Sequence, residues 1–268
     1  MKQRIISALI AIPLFFAIVL WAPKPLYLGF WYAVVVACSY EFFKIRQYPK
    51  NKAWVAALCI SSIAPILFYF QKLDTIPVIS MAYVIPLIWL VIVPILLARY
   101  ARNHEYKSNN SLMIGLWFFI INFFFAFVSL FITATYSRWE LIFILIIVWA
   151  NDAGAYFVGK ALGKRKFSPN ISPNKTWEGF IGGIIIAMLT TVLLMRENIV
   201  LSLCIGFGIA LLSTIGDLFE SMVKRMAGVK DSGNIMPGHG GVFDRIDSWL
   251  AVGSMATAIK WVLSPWIL

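Results

Sequence analysis

Residues Ile199–Asp247 read IVLSLCIGFGIALLSTIGDLFESMVKRMAGVKDSGNIMPGHGGVFDRID. The stretch opens as an apolar run of about 20 residues, the length at which a helix spans a hydrocarbon core. From Ser221 onward its character changes. Three basic side chains, Lys224, Arg225 and Lys230, precede a Gly-rich turn, Pro237-Gly-His-Gly-Gly241, and two aspartates, Asp244 and Asp247, follow three residues apart. Charge is costly beside hydrocarbon, so a cluster this dense between two apolar segments points to chemistry. Cations, a Gly-rich backbone and carboxylates together suit phosphate groups and a metal ion at a membrane surface.

The rest of the chain supports the membrane setting. Its 268 residues are 61% hydrophobic and 13% charged, whereas soluble domains are about 45–50% apolar and about 25% charged. Lipid-embedded backbone must satisfy its own polar groups, so the expected fold is all-α and polytopic. Nine apolar runs can be counted, near 5–22, 26–43, 53–71, 76–98, 112–134, 139–159, 178–195, 199–222 and 246–264. Glu41 interrupts the second, and the fourth carries Pro86 and Pro94, residues that kink membrane helices. The first run continues to Trp21 without a small-x-small cleavage site, so it reads as a retained helix. Cys38, Cys59 and Cys204 lie inside apolar runs and show no disulfide or zinc spacing.

Basic residues orient the spans. With the N-terminus inside, eighteen of the 23 Lys and Arg fall on the inner side, leaving Lys24, Lys72, Arg138, Arg196 and Lys260 outside. The expected location is therefore a multi-pass protein of the inner (cytoplasmic) membrane, with loops 160–177 and 223–245 facing the cytoplasm. Topology accounts for most of the net charge of +11, so no nucleic-acid partner is expected. Residues 1–140 form five N-terminal spans with almost no polar chemistry, and 141–268 form four spans that carry nearly all of it. No soluble domain or internal repeat is visible.

Three polar patches converge on the inner face. The first holds Asn151, Asp152 and Tyr156, then the loop GKALGKRKFSPNISPNKTWEG. Asp152 and Tyr156 share a helix face at i, i+4, and an intramembrane aspartate is either functional or structurally paired. The prolines of SPNISPNKT stop any helix, so Lys175 is expected on a rigid loop, with Thr176 capping the next helix. The second patch is a stripe at i, i+3, i+4 and i+7: Asp217, Glu220, Ser221 and Lys224, facing the bundle interior or water. The third runs from Lys230–Asp231 through His239, Gly240 and Gly241 to Asp244, Arg245 and Asp247, with both aspartates projecting to one side of a helix start. Asp217, Asp244 and Asp247 would form a hard, all-oxygen site suited to Mg²⁺, with a second cation as a further option. Zinc is disfavoured, because His104 and His239 are the only histidines and no cysteine is near. No nucleophile constellation and no P-loop is present; phosphoryl or nucleotidyl transfer needs neither, since it runs on positioning and charge neutralisation.

At this point the chain resembles a known family, the phosphatidate cytidylyltransferases (CDP-diacylglycerol synthases). Their pattern S-x-aliphatic-K-R-x4-K-D-x-small-x2-aliphatic-P-x-H-G-G-aliphatic-x-D-R-x-D is met by Ser221, Lys224, Arg225, Lys230, Asp231, Gly233, Pro237, His239, Gly240, Gly241, Asp244, Arg245 and Asp247. Met236 departs from the usual Leu, Ile or Phe and keeps the size. ISPNKTWEG and Gly216–Asp217 are also similar to this family, so the motifs cover roughly 150–250.

The resemblance implies that CTP and phosphatidic acid give CDP-diacylglycerol and pyrophosphate with Mg²⁺, in a homodimer. In that reading Asp217, Asp244 and Asp247 hold cations. Lys175, Lys224, Arg225, Lys230 and Arg245 neutralise phosphates, and His239, Gly240 and Gly241 contact phosphate oxygens or, for His239, move a proton. Ser221, Asp231 and Asp152 complete the substrate walls. Two rival readings are a CTP-dependent polyprenol kinase, which would move the γ-phosphate, and a cation-coupled transporter using Asp152 and Asp217.

Overall fold

In hydrocarbon the cheapest way to pair every backbone N–H and C=O is a helix, and the apolar runs follow that rule. The computed structural model describes residues 2–61, 83–103, 109–131, 137–196, 198–235 and 240–267, without the side chains of 2–8, 10 and 260–267. Among these residues the helices are α1 (Lys2–Trp21), α2 (Lys24–Ile45), α3 (Lys50–Ser61), α4 (Val84–Arg102), α5 (Asn110–Leu130), α6 (Arg138–Leu162), α7 (Trp177–Met195), α8 (Ile199–Met226) and α9 (Phe243–Ile267). They fall at the nine apolar runs, although parts of the third and fourth runs lie in 62–82, outside the described residues. Six helices, α2 and α4 to α8, are long and apolar enough to cross a membrane. The chain is thus a multi-pass, essentially all-helical membrane protein.

Helix ends follow local chemistry. Ser137 and Glu140 form a capping box at the start of α6. Thr176 Oγ1 accepts from the Gly179 N–H at 3.1 Å and so caps α7, as the sequence predicts. The disturbance expected of Pro86 and Pro94 takes the form of a π-helical turn at Ile88–Ile92 within α4. One expectation is corrected. The 164–176 segment contains an antiparallel hairpin, β1 (Lys166–Ser168) with β2 (Ser172–Thr176), where the prolines suggested a rigid loop without strands. Lys175 therefore sits on β2, beside the paired Thr176 and where the register shifts.

Helices α6, α7, α8 and α9 pack each against the next, α9 returns against α5, and α5 lies against α2. Aromatic rings fill the centre. Phe42 stacks on Trp117 at 4.4 Å between centroids, and Trp117 meets Phe243 edge-on at 5.0 Å. Phe243, the first residue of α9, is fully buried, which anchors the start of that helix. On the other side of the bundle, Ile181, Ile185, Leu189 and Leu193 of α7 are exposed, as a lipid-facing stripe should be.

Close helix approach depends on small residues, the usual device where lipid gives no hydrophobic push between helices. Across α6 and α7, a Cβ on Gly179 would lie 2.6 Å from the Ala155 carbonyl oxygen. Across α8 and α9, a Cβ on Gly216 would lie 2.6 Å from the Asp247 carbonyl oxygen and 3.0 Å from the Ala251 Cβ. A Cβ on Gly208 of the same helix would meet nothing within 4 Å. Gly216→Leu is therefore expected to destabilise the purified protein by about 1–3 kcal/mol, while Gly208→Leu changes it by less than about 0.5 kcal/mol. Thermal midpoints in detergent check this, and equal midpoints for the two variants would refute the packing argument.

Candidate active site

The Gly216 contact places two acidic helix segments side by side. The inward stripe of α8 carries Asp217, Glu220, Ser221 and Lys224, and the first turn of α9 carries Asp244 and Asp247. Oxygens of Asp217, Glu220 and Asp247 all lie within 4.8 Å of one another. Two like charges at that separation repel by about 3.5 kcal/mol at an effective dielectric of about 20. Lysines flank the cluster. Lys175 Nζ is 2.6 Å from Asp217 Oδ2, and Lys224 Nζ is 2.7 Å from both Glu220 Oε2 and Asp244 Oδ1. Ser221 Oγ donates to Asp217 Oδ1 at 3.4 Å.

The expected carboxylate triad and the observed cluster differ by one member. Asp244 is committed elsewhere, because besides Lys224 it accepts from the backbone N–H groups of Ser232 at 2.9 Å and Gly241 at 2.8 Å. Glu220 takes the third place. Its side chain is 1% exposed, and its Oε1 is buried with no hydrogen-bond partner among the described residues. A buried carboxylate oxygen without a donor is costly unless something else meets it. Three carboxylates with no nitrogen or sulfur form a donor set suited to a hard divalent cation.

Two hollows meet at these residues. A cavity of about 550 Å³ is lined by Asn151, Asp152, Tyr156, Lys160, Asn174, Lys175, Thr214, Asp217, Asp244, Asp247 and Ser248. A groove of about 590 Å³ has apolar walls from Phe15, Ile18, Phe30, Trp31, Val34, Leu145, Trp149 and Trp249, with Arg245 alongside. Asp152, Asp244 and Asp247 line both. Asp152 is steadied by Asn151 Nδ2 at 3.3 Å and by the Ser213 hydroxyl at 3.5 Å. The cavity brings the carboxyl groups of Asp152, Asp217, Asp244 and Asp247, with Glu220 buried beside them, against the ammonium groups of Lys160, Lys175 and Lys224.

Other candidates sit differently. Arg225 donates from Nε to the Ile171 carbonyl at 3.3 Å and from Nη1 to the Val229 carbonyl at 3.0 Å, so it ties the hairpin to the loop after α8. Lys230 and Asp231 are exposed on that loop and line neither hollow. Gly240 has a positive φ of 83°, a conformation glycine adopts freely. A Cβ there would fall 2.7 Å from Asp244 Oδ2. His239, Pro237 and Met236 lie outside the described residues. Two residues went unassigned in the sequence. Glu220 is signalled by its i+3 spacing from Asp217, and Glu41 only by being a charge inside an apolar run.

Comparison with known proteins shows the family. The Cytidylyltransferase family matches residues 2–263. A phosphatidate cytidylyltransferase of Pseudomonas aeruginosa is 31% identical over 271 residues, covering 97% of each chain. Those of Bacillus subtilis and Haemophilus influenzae are 48% identical over 122 residues (44% of this chain, 45% of the relative) and 47% over 120 residues (41% and 42%). With a match along almost its whole length and a full-length relative of this kind, the chain belongs to the cytidylyltransferase family.

Proposed function

We propose that the protein transfers the cytidylyl group of CTP to phosphatidate, giving CDP-diacylglycerol and pyrophosphate. The observation that carries the reading is the pair of hollows that share Asp152, Asp244 and Asp247, one with amide, hydroxyl and ammonium groups beside Phe167 and Phe180 and one mainly aromatic and aliphatic. A polar nucleotide and a two-tailed lipid need separate walls and a common meeting point. Bringing the two reacting groups together there turns an encounter in two phases into an intramolecular step.

In this mechanism CTP occupies the polar cavity. Lys175, on its strand, and Lys160 meet the triphosphate, while Asn151, Tyr156 and Asn174 offer hydrogen bonds. The acyl chains of phosphatidate lie along Phe15, Ile18, Val34 and Trp149, with Arg245 beside the lipid phosphate. A phosphatidate oxygen attacks the α-phosphorus in line. The new P–O bond forms as the bond from the α-phosphorus to the bridging oxygen breaks, and the electron pair leaves with pyrophosphate. Asp217, Glu220 and Asp247 would hold Mg²⁺, which when bound supplies the positive charge this chemistry needs. Lys224 holds Glu220 and Asp244 in place between them. A second cation, the roles of His239, Ser221, Lys230 and Asp231 at the phosphates, and a homodimeric assembly belong to the same proposal. So does the placement of this end of the bundle at the cytoplasmic face, which rests on the bias of Lys and Arg.

The relatives lend no support to the kinase or transporter readings. Labelled CTP separates the chemistries directly. With purified protein, phosphatidate and Mg²⁺, an α-phosphate label is expected on lipid and a γ-phosphate label in water-soluble pyrophosphate; γ-label on lipid would overturn the proposal. Asp217→Asn and Asp247→Asn should each cost several kcal/mol of transition-state stabilisation, a fall in kcat of about 100-fold or more. Wild-type rates with unaltered Mg²⁺ dependence would refute their role. Val34→Trp should narrow the groove and raise KM for phosphatidate while leaving KM for CTP unchanged, measured in mixed micelles at saturating co-substrate.

A further inference from the structure

We infer that Glu41 of α2, far from the motif in sequence, is a positioning residue that sets the catalytic end of α9. Its side chain is fully buried. Oε2 accepts from the backbone N–H of Phe243, the first residue of α9, at 2.8 Å, and from the Ser232 hydroxyl at 3.2 Å. An anion at a helix N-terminus meets unpaired N–H groups and the positive end of the helix dipole. The carboxylate is also enclosed on two sides. A Cβ on Gly233 would run into Oε1, and a Cβ on Gly241 would run into both Oε2 and the Ser232 hydroxyl. These two glycines leave the space in which Glu41 reaches the loop.

The contact bears directly on the site. Phe243 precedes Asp244 by one residue and Asp247 by four. Ser232 is held by two carboxylates at once, its hydroxyl by Glu41 and its N–H by Asp244. Glu41 thereby fixes both the loop wall and the first turn of α9, on which the separation of Asp247 from Asp217 and Glu220 depends. The inference rests on the proposed transfer reaction only for its kinetic consequence.

Three variants test it. Glu41→Ala removes the acceptor, Glu41→Gln keeps an acceptor of the same reach without charge, and Glu41→Asp keeps the charge but draws it back by one methylene. Misplacement on this scale is expected to lower kcat of Glu41→Ala and Glu41→Asp by about 100-fold. Glu41→Gln should stay within about threefold of wild type. Hydrogen exchange on the ligand-free protein supplies a second reading independent of turnover. Amides of 232–245 should exchange faster in Glu41→Ala and Glu41→Asp, with α6 and α7 unaffected. Wild-type kcat and exchange in Glu41→Ala overturn the inference, as does faster exchange throughout the bundle. If Glu41→Ala does not fold, the other two decide, and Glu41→Asp outperforming Glu41→Gln overturns it. Should wild-type protein form no lipid product, the exchange arm still reads Glu41, so failure of the reaction and failure of the positioning role remain distinguishable.

Discussion

The active end of this bundle depends on one backbone approach, that of α9 against Gly216 of α8. Glycine leaves nothing between the Asp247 carbonyl and the α8 backbone, and the helices close until Asp247 stands beside Asp217 and Glu220. The price is mutual repulsion of carboxylates in a poorly screened site. The rest of the local structure answers that repulsion. Lys175 is carried in on a hairpin, Lys224 bridges Glu220 and Asp244, and the loop after α8 turns backbone N–H groups toward Asp244.

The two hollows divide the solvent problem. Aromatic and aliphatic walls from α1, α2 and α6 suit acyl chains, whereas α6, the hairpin and α8 present amide, hydroxyl and ammonium groups. Because α6 contributes to both, Asp152 sits at their boundary. Helices α1 and α2, bland in sequence, thus build about half of the apolar groove.

What could be read beforehand followed from local periodicity. The stripe Asp217, Glu220, Ser221, Lys224 and the cap at Thr176 depend on spacings within one helix turn or two, and both stand as read. The hairpin was hidden, since strands of three and five residues containing Pro173 carry too little pattern to register. The choice between Asp244 and Glu220 was hidden for a different reason. Spacing places Asp244 on the right face but cannot show that the backbone N–H groups of Ser232 and Gly241 already hold it. Glu41 announced itself as a charge in an apolar run, while its partners lay beyond any periodic signal.

The bond from Phe243 to Glu41 joins residues 202 positions apart. During synthesis α2 is therefore made long before its partner emerges, and its buried carboxylate waits through the insertion of every intervening helix. Ser232 cannot be gripped from both sides until α9 enters the bundle. The acidic cluster therefore forms only once α9 has joined the bundle, and a chain stopped before α9 holds Asp217 and Glu220 without Asp247.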